Sequence, residues 1–416
     1  MEERFPMAAD RLKIAMLSVH SCPLGKLGSK DTGGMSVYIR ELARELGRRG
    51  NSVDIYTRAH DPADDQIVEL GENARVIHLQ VGEVEHMHKL VLYAHLADMA
   101  CSLEHFRKSN GLQYNLIHSH YWLSGWVGRQ LQVWWDVPHI TMFHTLGAVK
   151  NAIAVGEEES ELRLVSEREL VGDSHRIIAA TEKEKKDLTR YYSATPEKIG
   201  VVPCGVNLNL FQSVNKETAR QHLGFNGGSM VLFVGRVEPL KGIDRLLMAM
   251  PILDNGRDLR LVVIGGDDDS QPEKERLQSL ARNLNIQDTV TFVGTVRQED
   301  LPLYYSAADV CVIPSYYESF GLVALESLAC GTPVVATDVG GMESVVRHGQ
   351  NGYLVKDNAP VHLADTIAAL LAEPDARRKS AGSIRASVGK FNWSNVAEKI
   401  VSEYRAVLGK QVAEVV

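Results

Sequence analysis

Long apolar runs are missing from this chain. No stretch approaches the ~20 consecutive apolar residues of a bilayer-spanning helix, so no membrane span is expected. Cysteine is scarce: five residues (22, 101, 204, 311 and 330), odd in number, widely spaced and without a Cys-x-x-Cys pair, which argues against a disulfide framework or a thiolate metal site. Cys311 and Cys330 lie in apolar surroundings and read as reduced core residues, so a cytoplasmic location is expected. An excess of positive charge is also lacking. The formal net charge of −8 argues against general nucleic-acid binding, and no segment carries a strongly cationic face for a membrane surface. Residues 1–10 are polar, lack the apolar core of a signal peptide, and are expected to form a loose extension.

Hydrophobic residues are plentiful, at 44% of 416 positions, which is more chain than a single core organises. Two domains are therefore expected. Lys13–Val19 reads as a buried strand, Gly33-Gly34 opens a helix over 35–47, and Ser52–Thr57 is the next strand, a βαβ beginning. Further strands fit Val76–Leu79, Leu116–Ser119, Ile140–Phe143, Arg176–Ala180 and Ile199–Val202. A second series runs through Met230–Val234, Arg260–Ile264, Val290–Val293, Val310–Ile313, Thr332–Ala336 and Gly352–Val355. The expected division is 11–207 and 208–390, with 391–416 as a terminal helical segment.

The densest chemistry lies in Glu318-Ser-Phe-Gly-Leu-Val-Ala-Leu-Glu326. The strand Val310–Ile313 ends before it, and a helix is expected over Phe320–Leu328. That places Glu318 in the loop at the strand's carboxyl end and Glu326 about two turns into the helix. Open α/β sheets bind ligands in this crevice. Helix N-terminal N–H groups there offer donors, and two carboxylates offer acceptors for paired hydroxyls.

This segment resembles the paired-glutamate signature of retaining GT-B glycosyltransferases, family 4. The likeness extends along the chain through Asp31-Thr-Gly-Gly-Met-Ser-Val-Tyr-Ile, His118-Ser-His-Tyr-Trp-Leu-Ser-Gly, Phe143-His-Thr-Leu-Gly-Ala-Val-Lys, Val202-Pro-Cys-Gly-Val-Asn and Gly235-Arg-Val-Glu-Pro-Leu-Lys-Gly. Within the family it is most similar to the branch that glycosylates inositol phosphate, and next to the sucrose-phosphate and sucrose synthases. The resemblance implies two Rossmann-like domains facing across a cleft, with the terminal helix crossing back to the first domain. It implies a UDP-sugar as co-substrate, no tightly bound cofactor and no required divalent metal. The partners implied are small molecules; a homodimer stays open.

The same resemblance implies roles for particular residues. Gly34 and the backbone of Ser319, Phe320, Gly321 and Leu322 would meet the donor. Arg236 and Lys241 would stabilise the departing diphosphate, Glu318 would hold sugar hydroxyls and Glu326 the ribose. Val296 and Arg297 would adjoin the uracil, and His144 would sit beside the transferred sugar. Lys89, Tyr121, Thr145 and Arg163 would surround the acceptor phosphate, with Thr32 and Met35 able to serve either substrate. Asp31-Thr-Gly-Gly stands where the inositol-phosphate branch carries Asp-Ser-Gly-Gly, and Gly147 replaces a common alanine. Both changes resemble the sucrose-forming branch. Inositol phosphate is the favoured acceptor; fructose-6-phosphate, fructose and a lipid acceptor are the alternatives. Glucose and N-acetylglucosamine both remain as donor sugars. Asp267–Asp269 reads as a solvated turn, and His86-Met-His88 as a surface loop.

Overall fold

The computed structural model describes residues 11–27, 32–83, 87–225, 227–253, 258–267, 270–372 and 380–414. The expected extension 1–10, Asp31, His86 and Asp268–Asp269 lie outside these residues.

Two parallel sheets organise the chain. The first comprises β1 (Lys13–Leu17), β2 (Ser52–Arg58), β3 (Ile67–Gly71), β4 (Ala74–Leu79), β5 (Leu116–His120), β6 (His139–Met142), β7 (Arg176–Ala179) and β8 (Ile199–Val201). Their order is β3-β4-β2-β1-β5-β6-β7-β8. The second comprises β9 (Ser229–Val234), β10 (Leu259–Ile264), β11 (Val290–Gly294), β12 (Val310–Ile313), β13 (Val334–Thr337) and β14 (Gly352–Val355), ordered β11-β10-β9-β12-β13-β14. Both orders reverse beside the first strand, and a crevice opens there at the carboxyl ends. The central strands are buried on both faces; β12 therefore reads as an unbroken apolar run, whereas β5 buries His118, Ser119 and His120 along with Leu116 and Ile117.

The sequence reading missed β3. It pairs antiparallel with β4 at the sheet's edge, and only Leu70 within it is buried, so it carries little periodic signal. A second difference concerns the helix after β12. It spans Leu322–Ala329, two residues later than expected, because Gly321 adopts φ 89° and caps it. Eight residues cannot sustain an isolated helix. Leu325 and Leu328 are fully buried, each contributing about 1.5–3 kcal/mol, and this packing fixes Glu326 on the opposite face.

The last helix, Trp393–Glu414, returns to the first sheet. Glu403 pairs with Arg176 beside β7 at 2.6 Å, and Arg49 donates to the Ser394 hydroxyl at 2.7 Å. The approach is close: a Cβ built on Gly200 would lie 2.5 Å from the Glu403 carboxyl carbon. A side chain at position 200 would therefore have to displace the Glu403 carboxylate.

Candidate active site

The two crevices face one another and enclose a cavity of about 400 Å³. Every segment that reaches it leaves the carboxyl end of a strand or opens the following helix. From the first domain come Gly33 and Gly34 after β1, Tyr121 after β5, and His144 and Thr145 after β6. From the second come Gly235–Lys241 after β9, Val296 after β11, and Ser315–Glu326 after β12.

Most residues singled out from the sequence line this cavity: Gly34, Lys89, Tyr121, His144, Thr145, Arg236, Lys241, Val296, Glu318, Ser319, Phe320, Gly321, Leu322 and Glu326. The domains touch here. A Cβ on Gly34 would lie 3.1 Å from Leu322 Cδ1, and Gly33 faces the Arg236 side chain. Opening the helix Gly34–Arg48 with two glycines thus keeps the first domain's N–H groups accessible to the second.

The second domain supplies the charges. Lys241 Nζ donates to Glu318 Oε1 (2.5 Å), to which Ser315 Oγ also donates (3.2 Å). Arg236 pairs with Glu238 at 2.9 Å. Glu326 is buried and accepts from Tyr305 (2.8 Å); burial pushes its carboxyl up to about 7, against the opposing pull of Tyr305, Gln298 and Arg40. Arg40, from the first domain, donates to Gln298 and ties the two domains beside this carboxylate.

Around His144 the first domain's wall is strained and uncharged. His144 lies at φ 61° and Tyr121 at φ 76°, ψ 158°. Side chains rarely occupy such regions, and each costs of order 1–3 kcal/mol unless the surroundings impose it. Burial lowers the His144 imidazole to about 3. At neutral pH it is an uncharged hydrogen-bonding group, unable to act as a cationic acid.

Tyr121 is the centre of a basic pocket. Lys89 Nζ lies 5.6 Å from its ring centroid, the Arg163 guanidinium 4.9 Å, and the His20 ring packs tilted at 4.4 Å. Lys150 also faces the cavity and pairs with Glu159. Burial would raise the Glu159 carboxyl, but Arg163 and Lys150 hold it below its usual range.

Three expected residues are placed differently. Arg163 is buried behind the wall: it pairs with Glu159 and Glu167 (2.8 Å each) and donates from Nη2 to Thr145 O (2.9 Å) and Oγ1 (3.0 Å). It braces Thr145 and Tyr121 instead of facing the cavity, because only these carboxylates can balance a buried guanidinium. Arg297 turns to solvent, 72% exposed, held by Asp300 at 2.9 Å. Its neighbours Val296 and Gln298 face the cavity instead, since alternate residues of an extended segment share a side. Thr32 is buried away from the cavity wall, packed under Gly25.

Several lining residues were missed. Lys150 stands six residues after His144 inside a motif already quoted, so its signal was present. Ser315 adjoins Glu318 in the same way. Tyr38 lies inside a quoted motif and Tyr317 directly precedes Glu318, whereas His20 carried no local signal, because only the fold brings it to the wall. A larger cavity, about 610 Å³, opens at the amino-terminal edge of the second sheet, far from these groups. Its charged lining residues Lys216 and Asp309 pair with one another.

The family profile described as Glycosyltransferase Family 4 matches residues 32–210, and that described as Glycosyl transferases group 1 matches 215–385. The D-inositol 3-phosphate glycosyltransferase of Corynebacterium diphtheriae is 41% identical over 402 residues, covering 94% of each chain. The protein of the same name from Geodermatophilus obscurus is 40% identical and covers 99% of this chain and 93% of its own. Among solved structures, the sucrose-phosphate synthase of Thermosynechococcus elongatus superposes with a TM-score of 0.89 at 36% identity, over 96% of this chain and all of that one. Anabaena HepE, solved with UDP and glucose, has a TM-score of 0.75 at 19% identity over 94% of this chain and 99% of its own, a likeness of fold.

Proposed function

Because the chain belongs to the family 4 glycosyltransferases of the GT-B fold, we propose that it moves a hexose, glucose or N-acetylglucosamine, from a UDP-sugar to a phosphorylated polyol, with retention at the anomeric carbon. One observation carries this reading. A single cavity sets Arg236, Lys241, Glu318 and Glu326 on one wall against Lys89, Lys150, Tyr121 and Thr145 on the other. The first wall suits a nucleoside diphosphate sugar, the second a phosphate.

The diphosphate would lie between the N–H groups opening Gly34–Arg48 and those of Leu322–Ala329, with Arg236 and Lys241 neutralising it. The ribose hydroxyls would donate to Glu326 and the sugar hydroxyls to Glu318. As the bond from the anomeric carbon to the diphosphate oxygen breaks, negative charge grows on UDP, where the two fixed cations oppose it. The acceptor hydroxyl attacks the same face. Its oxygen bonds to the anomeric carbon, and its proton passes to the departing phosphate oxygen. No protein nucleophile is needed, and neutral His144 would orient the sugar instead of donating a proton.

For the acceptor phosphate, Lys89 and Lys150 supply two cations, and Tyr121 and Thr145 two hydroxyls. Arg163 contributes by fixing Thr145. Inositol phosphate is favoured by the 41% identity to the Corynebacterium enzyme. Transfer to fructose-6-phosphate is the second reading, favoured by the 36% identity and TM-score of 0.89 to the sucrose-phosphate synthase. Both need the same phosphate site.

The deciding experiment measures UDP release from UDP-glucose and UDP-N-acetylglucosamine with inositol 3-phosphate, fructose-6-phosphate and their dephosphorylated forms. A site lined by the half-buried cations Lys89 and Lys150 should reject the uncharged acceptors strongly. Equal turnover of phosphorylated and free forms would defeat the phosphate assignment, and reaction with fructose-6-phosphate alone would replace the inositol reading with the second. No helix among the described residues is long and apolar enough to cross a membrane.

A further inference from the structure

His144 is held in place by something more than its own loop. Its Nε2 lies 2.9 Å from His120 Nδ1, the last residue of β5. His120 lies against the His118 ring, centroids 4.3 Å apart, and His118 Nδ1 is 2.8 Å from the Tyr404 hydroxyl. Tyr404 belongs to the helix Trp393–Glu414, the second domain's return to the first. The start of that helix meets the same residue by another route: Trp393 packs edge-on against Tyr38 (5.5 Å), and Tyr38 edge-on against His144 (5.2 Å). His118, His120, Tyr38 and Tyr404 are all fully buried.

We propose that His120 is a positioning residue for His144, and that the crossing helix anchors the pair through Tyr404 and Trp393. This rests on the reading of His144 as the group beside the transferred sugar.

The chemistry of the contact gives the reason. Two neutral imidazoles 2.9 Å apart share one proton, so one ring donates and the other accepts. Committing Nε2 of His144 to His120 fixes the opposite role for Nδ1, the nitrogen left for the cavity. Burial keeps both rings uncharged, and His118 and His144 push His120 further the same way. The contact also helps to hold His144 at φ 61°, which a lone side chain resists. His118 and His120 meet as tilted rings, 46° between their planes, and no hydrogen bond joins them, so the chain transmits position and not protons. Two consequences follow from the topology. β5 carries histidine at alternate positions, 118 and 120, on one side of the strand. The terminal helix becomes part of the active site's support although none of its described residues lines the cavity.

The test uses the full-length enzyme and the donor–acceptor pair selected by the UDP-release screen. His120→Leu retains bulk but offers no polar atom to His144. His120→Asn places an amide where Nδ1 stood and can keep the bond. Loss of the partner that orients a metal-ligating histidine costs about 10- to 100-fold, and a loss of the same order is expected for an orienting partner here. His120→Leu should lower kcat by that factor with KM for both substrates and Tm little changed, and His120→Asn should recover most of it. Tyr404→Phe should lower kcat less, in the same direction. Glu403→Gln, which severs the neighbouring pair with Arg176, should leave kcat unchanged. Wild-type kcat in His120→Leu would overturn the proposal, as would equal losses in the Leu and Asn variants accompanied by a fall in Tm. If His120→Leu does not fold, Tyr404→Phe decides: lowered kcat at constant KM supports the anchor, unchanged kcat refutes it. Wild-type kcat in His144→Ala would instead sink the role assigned to His144. A loss in His144→Ala without one in His120→Leu would sink only the positioning role.

Discussion

UDP affinity should depend on pH through Glu326. In the unliganded protein this carboxyl sits near 7, raised by burial and opposed by Tyr305, Gln298 and Arg40. Ribose hydroxyls are donors, so they bind the ionised form. If they return the carboxyl to its ordinary value of 4.5, binding must expel a proton below neutrality. The apparent Kd then scales as the ratio of the two protonation factors. It should weaken about tenfold from pH 8 to pH 6, about 1.4 kcal/mol, and about 70-fold by pH 5. At pH 6 about 0.9 proton should be released per UDP bound. Calorimetry with UDP alone, between pH 5 and 8.5 and in two buffers of different ionisation enthalpy, measures both quantities. The phosphate of UDP itself titrates near 6, so Glu326→Gln provides the baseline: it should bind more weakly at pH 8 and show only the nucleotide's own slope. Identical pH profiles in wild type and Glu326→Gln would refute the reasoning, because they would show that this carboxylate neither titrates in that range nor meets the ribose.

Arg236→Ala and Lys241→Ala should each cost roughly 2.7–4 kcal/mol of activation barrier, a loss of about 100- to 1,000-fold in kcat, with activity of the wild type persisting in excess EDTA; wild-type turnover in either variant removes the clamp assignment, and complete metal-reversible loss removes the metal-independent one. Lys150→Ala should raise the acceptor KM with little change in Tm. Arg163→Ala should lower stability by about 3–5 kcal/mol, since it leaves the fully buried Glu167 without its counter-charge, while Glu159 keeps Lys150; thermal melts that rank the two variants the other way would contradict their placement. Glu184 caps the helix Glu182–Tyr192, accepting from Ala180 N at 2.7 Å, and burial raises its carboxyl to about 7. A folded-state value above the unfolded one means stability is full below about pH 4.5 and lost as pH rises through 7. Glu184→Gln should therefore raise Tm at pH 8, by up to about 3 kcal/mol in stability, and not at pH 4.5; equal shifts at both values would remove the titration argument.

The sequence by itself determined the two-sheet architecture and most of the site. Strands buried on both faces are mostly apolar, so β1, β9 and β12 were legible as runs, while β5 buries two histidines and a serine. Gly34, Tyr121, His144, Arg236 and Glu318 were legible through the family motifs that contain them, and each stands after a strand and lines the cavity. The limits were equally physical. β3 buries one side chain and leaves no pattern. Arg163, Arg297 and Gln298 are polar residues whose direction is chosen by partners outside their own segment: Glu159 and Glu167 draw Arg163 inward, Asp300 draws Arg297 out, and Gln298 takes the cavity. The support behind His144 joins β5 to a residue 286 positions further on. Local sequence sets which groups a strand end presents, because that depends on neighbours along the chain. Which of them meet, and which are neutralised before reaching the cavity, only the tertiary structure decided, because burial and charge pairing act across space.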